Sequence, residues 1–139
     1  MIGYNRTNTE SNSFRDWSET VLMDMQAFYQ SVQADLNDVL ALYKTPERVH
    51  KYVRSALHDK AFRLLDDAMA RKDWVAGFKQ AHTVKGMCQN LCLGIFTEKV
   101  IDLVECLRGG NPDEEEALRA YDRVRQEHLR LLDLEEALS

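Results

Sequence analysis

Apolar residues return every three or four positions through most of this chain, and nowhere do they alternate with polar ones as a half-buried strand requires. A repeat near 3.6 residues puts those side chains on one stripe of a helix, and such a stripe is stable only when packed against another. Phe14, Trp17, Val21, Met25, Phe28 and Val32 form the first stripe, opened by Ser13 and Asp16 in a capping-box arrangement and running to about residue 34. Asp35-Leu36-Asn37-Asp38 reads as a break, and Val39 to Tyr43 as a short apolar turn. Thr45-Pro46-Glu47 is a start signal with proline at the first helical position, followed by Val49, Tyr52, Val53, Ala56 and Leu57. Phe62, Leu65, Ala68 and Met69 form a third stripe from near Asp59. A fourth, from Asp73 as cap, carries Trp74, Phe78, Ala81, Val84, Cys88, Leu91 and Cys92. Phe96, Val100, Leu103, Val104 and Leu107 follow the interruption at Gly94 and stop at Gly109-Gly110. Asn111-Pro112-Asp113-Glu114 opens the last helix with cap, proline and an acidic first turn, and Ala117, Tyr121, Val124, His128 and Leu131 form its stripe.

Only two prolines and six glycines punctuate the chain, too few for a many-stranded sheet. Amphipathic helices joined by short loops predict an all-α antiparallel helical bundle. At 139 residues and 45% apolar content the chain suffices for one domain with a real core. Residues 1–12 are polar and non-periodic and read as a flexible arm, leaving 13–139 as a single helical domain. The net charge of −5 argues against a nucleic-acid surface, and the apolar runs are too short to span a membrane. Met1-Ile2-Gly3-Tyr4-Asn5-Arg6 has no apolar core of a secretory signal. With three cysteines, an odd number, that start makes reduced thiols in the cytoplasm the expectation.

The segment "KQAHTVKGMCQN", residues 79–90, keeps a glycine and a titratable ring together in mid-helix. On a helical wheel Trp74, Gly77, Phe78, Ala81, Val84, Cys88, Leu91 and Cys92 share the core face, and His82 falls at its edge, half exposed, with Phe78 as a wall on its core side. Lys79, Lys85, Gly86 and Gln89 surround it on the outer strip. A mid-helix glycine costs about 1 kcal/mol relative to alanine. Gly86 is therefore expected to clear space beside the ring for something bulky to approach. A neutral imidazole has a nucleophilic lone pair near neutral pH, and two ammonium groups would stabilise a phosphoryl group attached to it. No carboxylate base, metal cluster or nucleotide-binding loop shares the strip, which suits passive carriage of a phosphoryl group.

"AHTVKG", with His82, Lys85 and Gly86, resembles the His-x-x-Lys-Gly signature of histidine-containing phosphotransfer (HPt) domains. The approach "DDAMARKDWVAGFKQ" and "NLCL", where the family often has Asn-Leu-Gly-Leu, extend the likeness over residues 35–110 or so. Cys92 stands where the family has glycine, with Gly94 two residues later. Some members carry a glutamine on the following helix that contacts the histidine; the region near Val104 has none, and Gln89 is the candidate replacement. The resemblance implies a four-helix bundle with an additional N-terminal helix. It also implies a phosphohistidine carrier in a two-component phosphorelay. His82 would take phosphate from an aspartyl phosphate on a receiver domain and pass it to another receiver. Lys85 and Lys79 would offset phosphate charge, while Gly86, Phe78 and Gln89 would serve access and docking. By the same resemblance the chain is a carrier and not an enzyme. Its partners are response-regulator receivers and a sensor histidine kinase, and the Mg²⁺ needed for transfer belongs to the receiver.

The rival reading is an adaptor of the same fold that docks partners without phosphate. His128, on an apolar stripe, is expected to be a satisfied boundary residue, and His50 and His58 surface residues. Glu47-x-x-His50 has the spacing of a di-iron ligand pair, but no second Glu-x-x-His exists, so no metal is expected. Cys88, Cys92 and Cys106 read as small buried hydrophobes.

Overall fold

The computed structural model describes residues 18–138, and these form seven α-helices with no strand among them. α1 is Glu19–Ser31, α2 Leu36–Tyr43, α3 Pro46–Leu57, α4 Lys60–Ala70, α5 Trp74–Asn90, α6 Gly94–Leu107 and α7 Glu114–Leu138. The all-helical expectation holds, and two boundaries read from sequence need correction.

α1 is capped by Ser18, whose hydroxyl accepts from the Val21 amide at 3.3 Å. Ser13, Phe14, Asp16 and Trp17 lie outside the described residues. The first correction is the supposed break at Asp35. The Asp35 carboxylate accepts from the Asn37 amide at 2.9 Å and starts α2, so the apolar turn is a helix of 8 residues. The second is at Asn111-Pro112. The cap is Asp113, which accepts from the Glu116 amide at 3.0 Å, so proline precedes the helix instead of opening it. Asn111 and Asp113 both carry capping side chains, and Asp113 is the one the backbone brings to a free amide. Thr45 and Asp73 cap α3 and α5 as read, and Asp59, near which the third stripe begins, caps α4.

Helices α4 to α7 pack in chain order, α4 on α5, α5 on α6 and α6 on α7. Side chains connect the ends of that series: Tyr121 of α7 donates to Asp66 of α4, and His128 of α7 stacks on Phe62 of α4 at 3.6 Å. α1, α2 and α3 pack on one another, with α1 and α3 also on α7. One continuous core joins all of this, including Met25, Phe28 and Tyr29 of α1 and Phe96, Leu103 and Leu107 of α6, all fully buried. The N-terminal helix is therefore part of the core. It is also tied to the end of α5, where the Tyr29 hydroxyl donates to the Leu91 carbonyl at 2.7 Å.

His128 is the satisfied boundary residue its stripe predicts, donating from Nε2 to the Leu57 carbonyl at 2.8 Å. Burial pushes its pKa down, against the opposing effect of that hydrogen bond. His58 is exposed as expected, but His50 is only 19% exposed and meets the buried Glu135 carboxylate at 3.0 Å. Glu47 turns elsewhere, accepting from the Ser18 amide at 2.8 Å. The pair with metal-ligand spacing is thus split between two partners. Of the cysteines Cys88 is buried, whereas Cys92 and Cys106 are only partly covered.

Candidate functional site

α5 owes its position to small residues on its inner face. Gly77 sits so close to neighbouring helices that a Cβ there would lie 3.2 Å from Met69 Sδ of α4 and 3.4 Å from Leu107 Cδ1 of α6. With Ala81, Val84 and Cys88 buried along the same face, α5 is clamped between α4 and α6. Its opposite face is left to solvent, and there His82, Lys79 and Gln89 are exposed while Phe78, Lys85 and Gly86 are half-buried. The wheel placed Lys79, His82, Lys85, Gly86 and Gln89 on the correct strip, with Phe78 on the core face beside them, and made His82 more covered than it is.

Phe78, one turn before His82, lies parallel to the imidazole, with ring centroids 5.9 Å apart and planes 5° apart. It forms the expected wall on the core side of the ring. Among the described residues neither Lys79 nor Lys85 is in an ion pair, although both stand on the helix that carries His82. At Gly86 an added Cβ would meet nothing within 4 Å. That openness separates Gly86 from Gly77: the fold itself has no use for the missing side chain. Gln89 is not brought to His82. Seven residues, or about 10 Å of helical rise, separate them, and Gln89 borders a shallow depression with Asp38, Cys92 and Glu98.

The sequence reading missed two residues at the C-terminal end of α6, Glu105 within it and Arg108 as its cap. Arg108 lays its guanidinium over the Phe78 ring, 5.3 Å from the centroid. Glu105 grips one edge of that guanidinium with both carboxylate oxygens, accepting from Nε at 3.0 Å and from a terminal nitrogen at 2.8 Å. Hydrogen bonding to Arg108 is the main reason the Glu105 carboxyl lies below its usual range, and the charges of Arg108 and Lys85 add to it. The Glu105-x-x-Arg108 spacing was visible, as an i,i+3 pair just before Gly109-Gly110. What could not be read was the register that sets the end of α6 beside the first half of α5.

The other flank of the strip is aromatic. Tyr43 and Tyr52 lie 5.0 Å apart and, with Met87 and Asn90 of α5, border a depression of about 190 Å³. The whole face thus offers an accessible ring, two lysines outside any described ion pair, a cleared position at Gly86 and an aromatic margin. It has the means to present a nucleophilic nitrogen and to neutralise an anion placed on it. Among the described residues no cluster of His, Cys, Asp or Glu is arranged to hold a metal ion, and no helix is long and apolar enough to cross a membrane. Compared with protein-family models, with curated proteins and with solved structures, the chain finds no match in any of the three.

Proposed function

We propose that this chain is a phosphohistidine carrier of the histidine-containing phosphotransfer type, working between cytoplasmic receiver domains. In this reading α4 to α7 form the four-helix bundle and α1 to α3 are additions packed against it. The carrying observation is the surface of α5. His82 stands exposed on Phe78, and one turn away Gly86 opens space that nothing in the fold requires. A ring that only filled a boundary would need neither a cleared neighbour nor two unpaired lysines.

The transfer asks little of the carrier. A lone pair on a ring nitrogen of His82 attacks the phosphorus of an aspartyl phosphate. The acyl P–O bond breaks, and the aspartate leaves as its carboxylate. The proton on the other ring nitrogen passes to solvent. Lys85, with Lys79 as helper, offsets the charge that arrives, and Phe78 limits the ring's rotation. The reverse steps deliver the group to a second receiver. Mg²⁺ belongs to the receiver partner in such an exchange, and this chain needs no cofactor or kinase activity of its own.

The test is incubation with a phosphorylated receiver domain, followed by assay for acid-labile, base-stable phosphate on this chain. His82→Gln should fold and melt as the native protein does, because an exposed side chain contributes little packing, and should take up none. Equal labelling of native protein and variant would remove His82 from the reaction. Receiver binding and signalling that survive in His82→Gln would instead favour the phosphate-independent adaptor.

A further inference from the structure

We infer that Glu105, which grips the Arg108 guanidinium beside the Phe78–His82 stack, weakens the site's hold on a phosphoryl group and so keeps the carrier able to release it. This rests on His82 being the phosphorylated residue.

An exposed ion pair three residues apart on a helix is by itself unremarkable and contributes little to stability. Its placement is what matters here. The guanidinium of Arg108 lies 5.3 Å from the centroid of Phe78, and Phe78 lies parallel to His82 at 5.9 Å. The arginine packed on the wall of the nucleophile is therefore held at 2.8 and 3.0 Å by a carboxylate. The Lys85 charge also acts on this carboxylate from α5, at longer range than an ion pair.

While His82 is free this arrangement is self-contained. A phosphoryl group adds between about −1.5 and −2 of charge at neutral pH. Glu105 then repels the new group and competes with it for Arg108 and Lys85. A site selected only to bind phosphate tightly would not keep a carboxylate there. A carrier that must give up what it accepts benefits from one, because its donor and acceptor are both aspartates of similar chemistry. Gripping too hard would trap the group on the ring.

The balance can be measured with phosphoramidate alone, without knowing the natural partner. The ring nitrogen forms a new N–P bond, the donor's N–P bond breaks, and the departing ammonia leaves as ammonium with the ring's other proton. At fixed phosphoramidate and ammonium, the ratio of phosphorylated to free protein reports the hold. At low salt Glu105→Gln should raise that ratio about two- to fivefold, the range an exposed charge contact supports, and the gain should shrink at high salt. Arg108→Gln should lower the ratio, and Glu105→Gln should add less in that background than in the native one. Glu105→Ala provides the same comparison should the glutamine variant melt early. A ratio unchanged or lowered in Glu105→Gln, with the native protein labelled at His82, would overturn the inference and leave the carrier reading standing. Native protein that takes up no more phosphate than His82→Gln would overturn both.

Discussion

Two residues four apart on one face of α5 carry opposite lessons about side-chain space. His82 stacks on the parallel ring of Phe78, and Gly86 has nothing among the described residues within 4 Å of a would-be Cβ. Because nothing obstructs that Cβ, Gly86→Ala should raise stability by up to about 1 kcal/mol, the ordinary helical preference for alanine. Gly86→Gln should also fold, yet slow phosphoryl transfer. Reacting atoms must approach within ~3.5 Å, and a displacement of ~1 Å can cost on the order of a hundredfold in rate. Thermal melts with transfer assays on both variants check this, and a Gly86→Gln protein with native transfer would remove the access role. Lys85→Ala should slow transfer for a different reason, lost charge compensation. Its defect should fade as salt rises, whereas that of Gly86→Gln should persist.

The helix ends show where local chemistry and tertiary packing part. Helices α1, α4 and α5 all close with a left-handed residue that is not glycine: Gln33 at φ 59°, Lys72 at φ 57° and Cys92 at φ 53°. Each forms the paired closing hydrogen bonds of a Schellman end. At α5 these are Cys92 to the Gln89 carbonyl at 3.2 Å and Leu93 to the Cys88 carbonyl at 3.1 Å. A side chain in that conformation costs about 1–2 kcal/mol, more than the extra chain entropy a glycine loses on folding. Cys92→Gly should therefore raise stability by roughly 0.5–1 kcal/mol. Two residues later the opposite holds. Gly94 is at φ 55°, a Cβ there would overlap the Val32 carbonyl oxygen, and Ile95 donates to that oxygen at 2.8 Å. Gly94→Ala should cost about 2–4 kcal/mol through left-handed strain and loss of that link between α1 and α6. Denaturant unfolding of the two variants tests both signs in one experiment.

At the scale of the whole molecule, α7 secures the assembly through groups that have left water. Glu127, 6% exposed, accepts from Arg130 at 2.6 and 2.9 Å, and Arg130 also donates to the Ser31 carbonyl at the end of α1. His128, the next residue, joins α7 to α3 and α4 through Leu57 and Phe62. Burial lowers its folded-state pKa, so the folded protein favours the neutral ring. The unfolded chain then takes up a proton first as pH falls. Stability from this residue is complete above the unfolded value, about 6.5, and is lost as pH falls from there toward the lower folded value. Melting temperature should drop across that window, and His128→Phe should flatten the drop while keeping the stack on Phe62. An equally steep drop in the variant would place the acid sensitivity elsewhere.

The sequence by itself determined every element of the site helix. The apolar period, the Asp73 cap and the pairing of Gly77 with Ala81 on one face are local properties, so the strip of Lys79, His82, Gly86 and Gln89 followed from them. It also determined that all described elements are helical, because no stretch offers the alternation a sheet would bury. Tertiary structure alone decided what packs on the Phe78 wall beside His82. Lys79 and Lys85 share its helix, but Arg108, held by Glu105, reaches Phe78 only because α6 returns with its last turn beside it. It decided equally that Gln89 stands apart, that Asp35 begins a helix, and that Gly94 must lack a side chain. Each of these depends on distances between segments far apart in the chain. Helical periodicity is dictated by steric and hydrogen-bonding constraints within a few residues. The register between helices is set by how whole faces interlock in the core, which no single stretch of sequence contains.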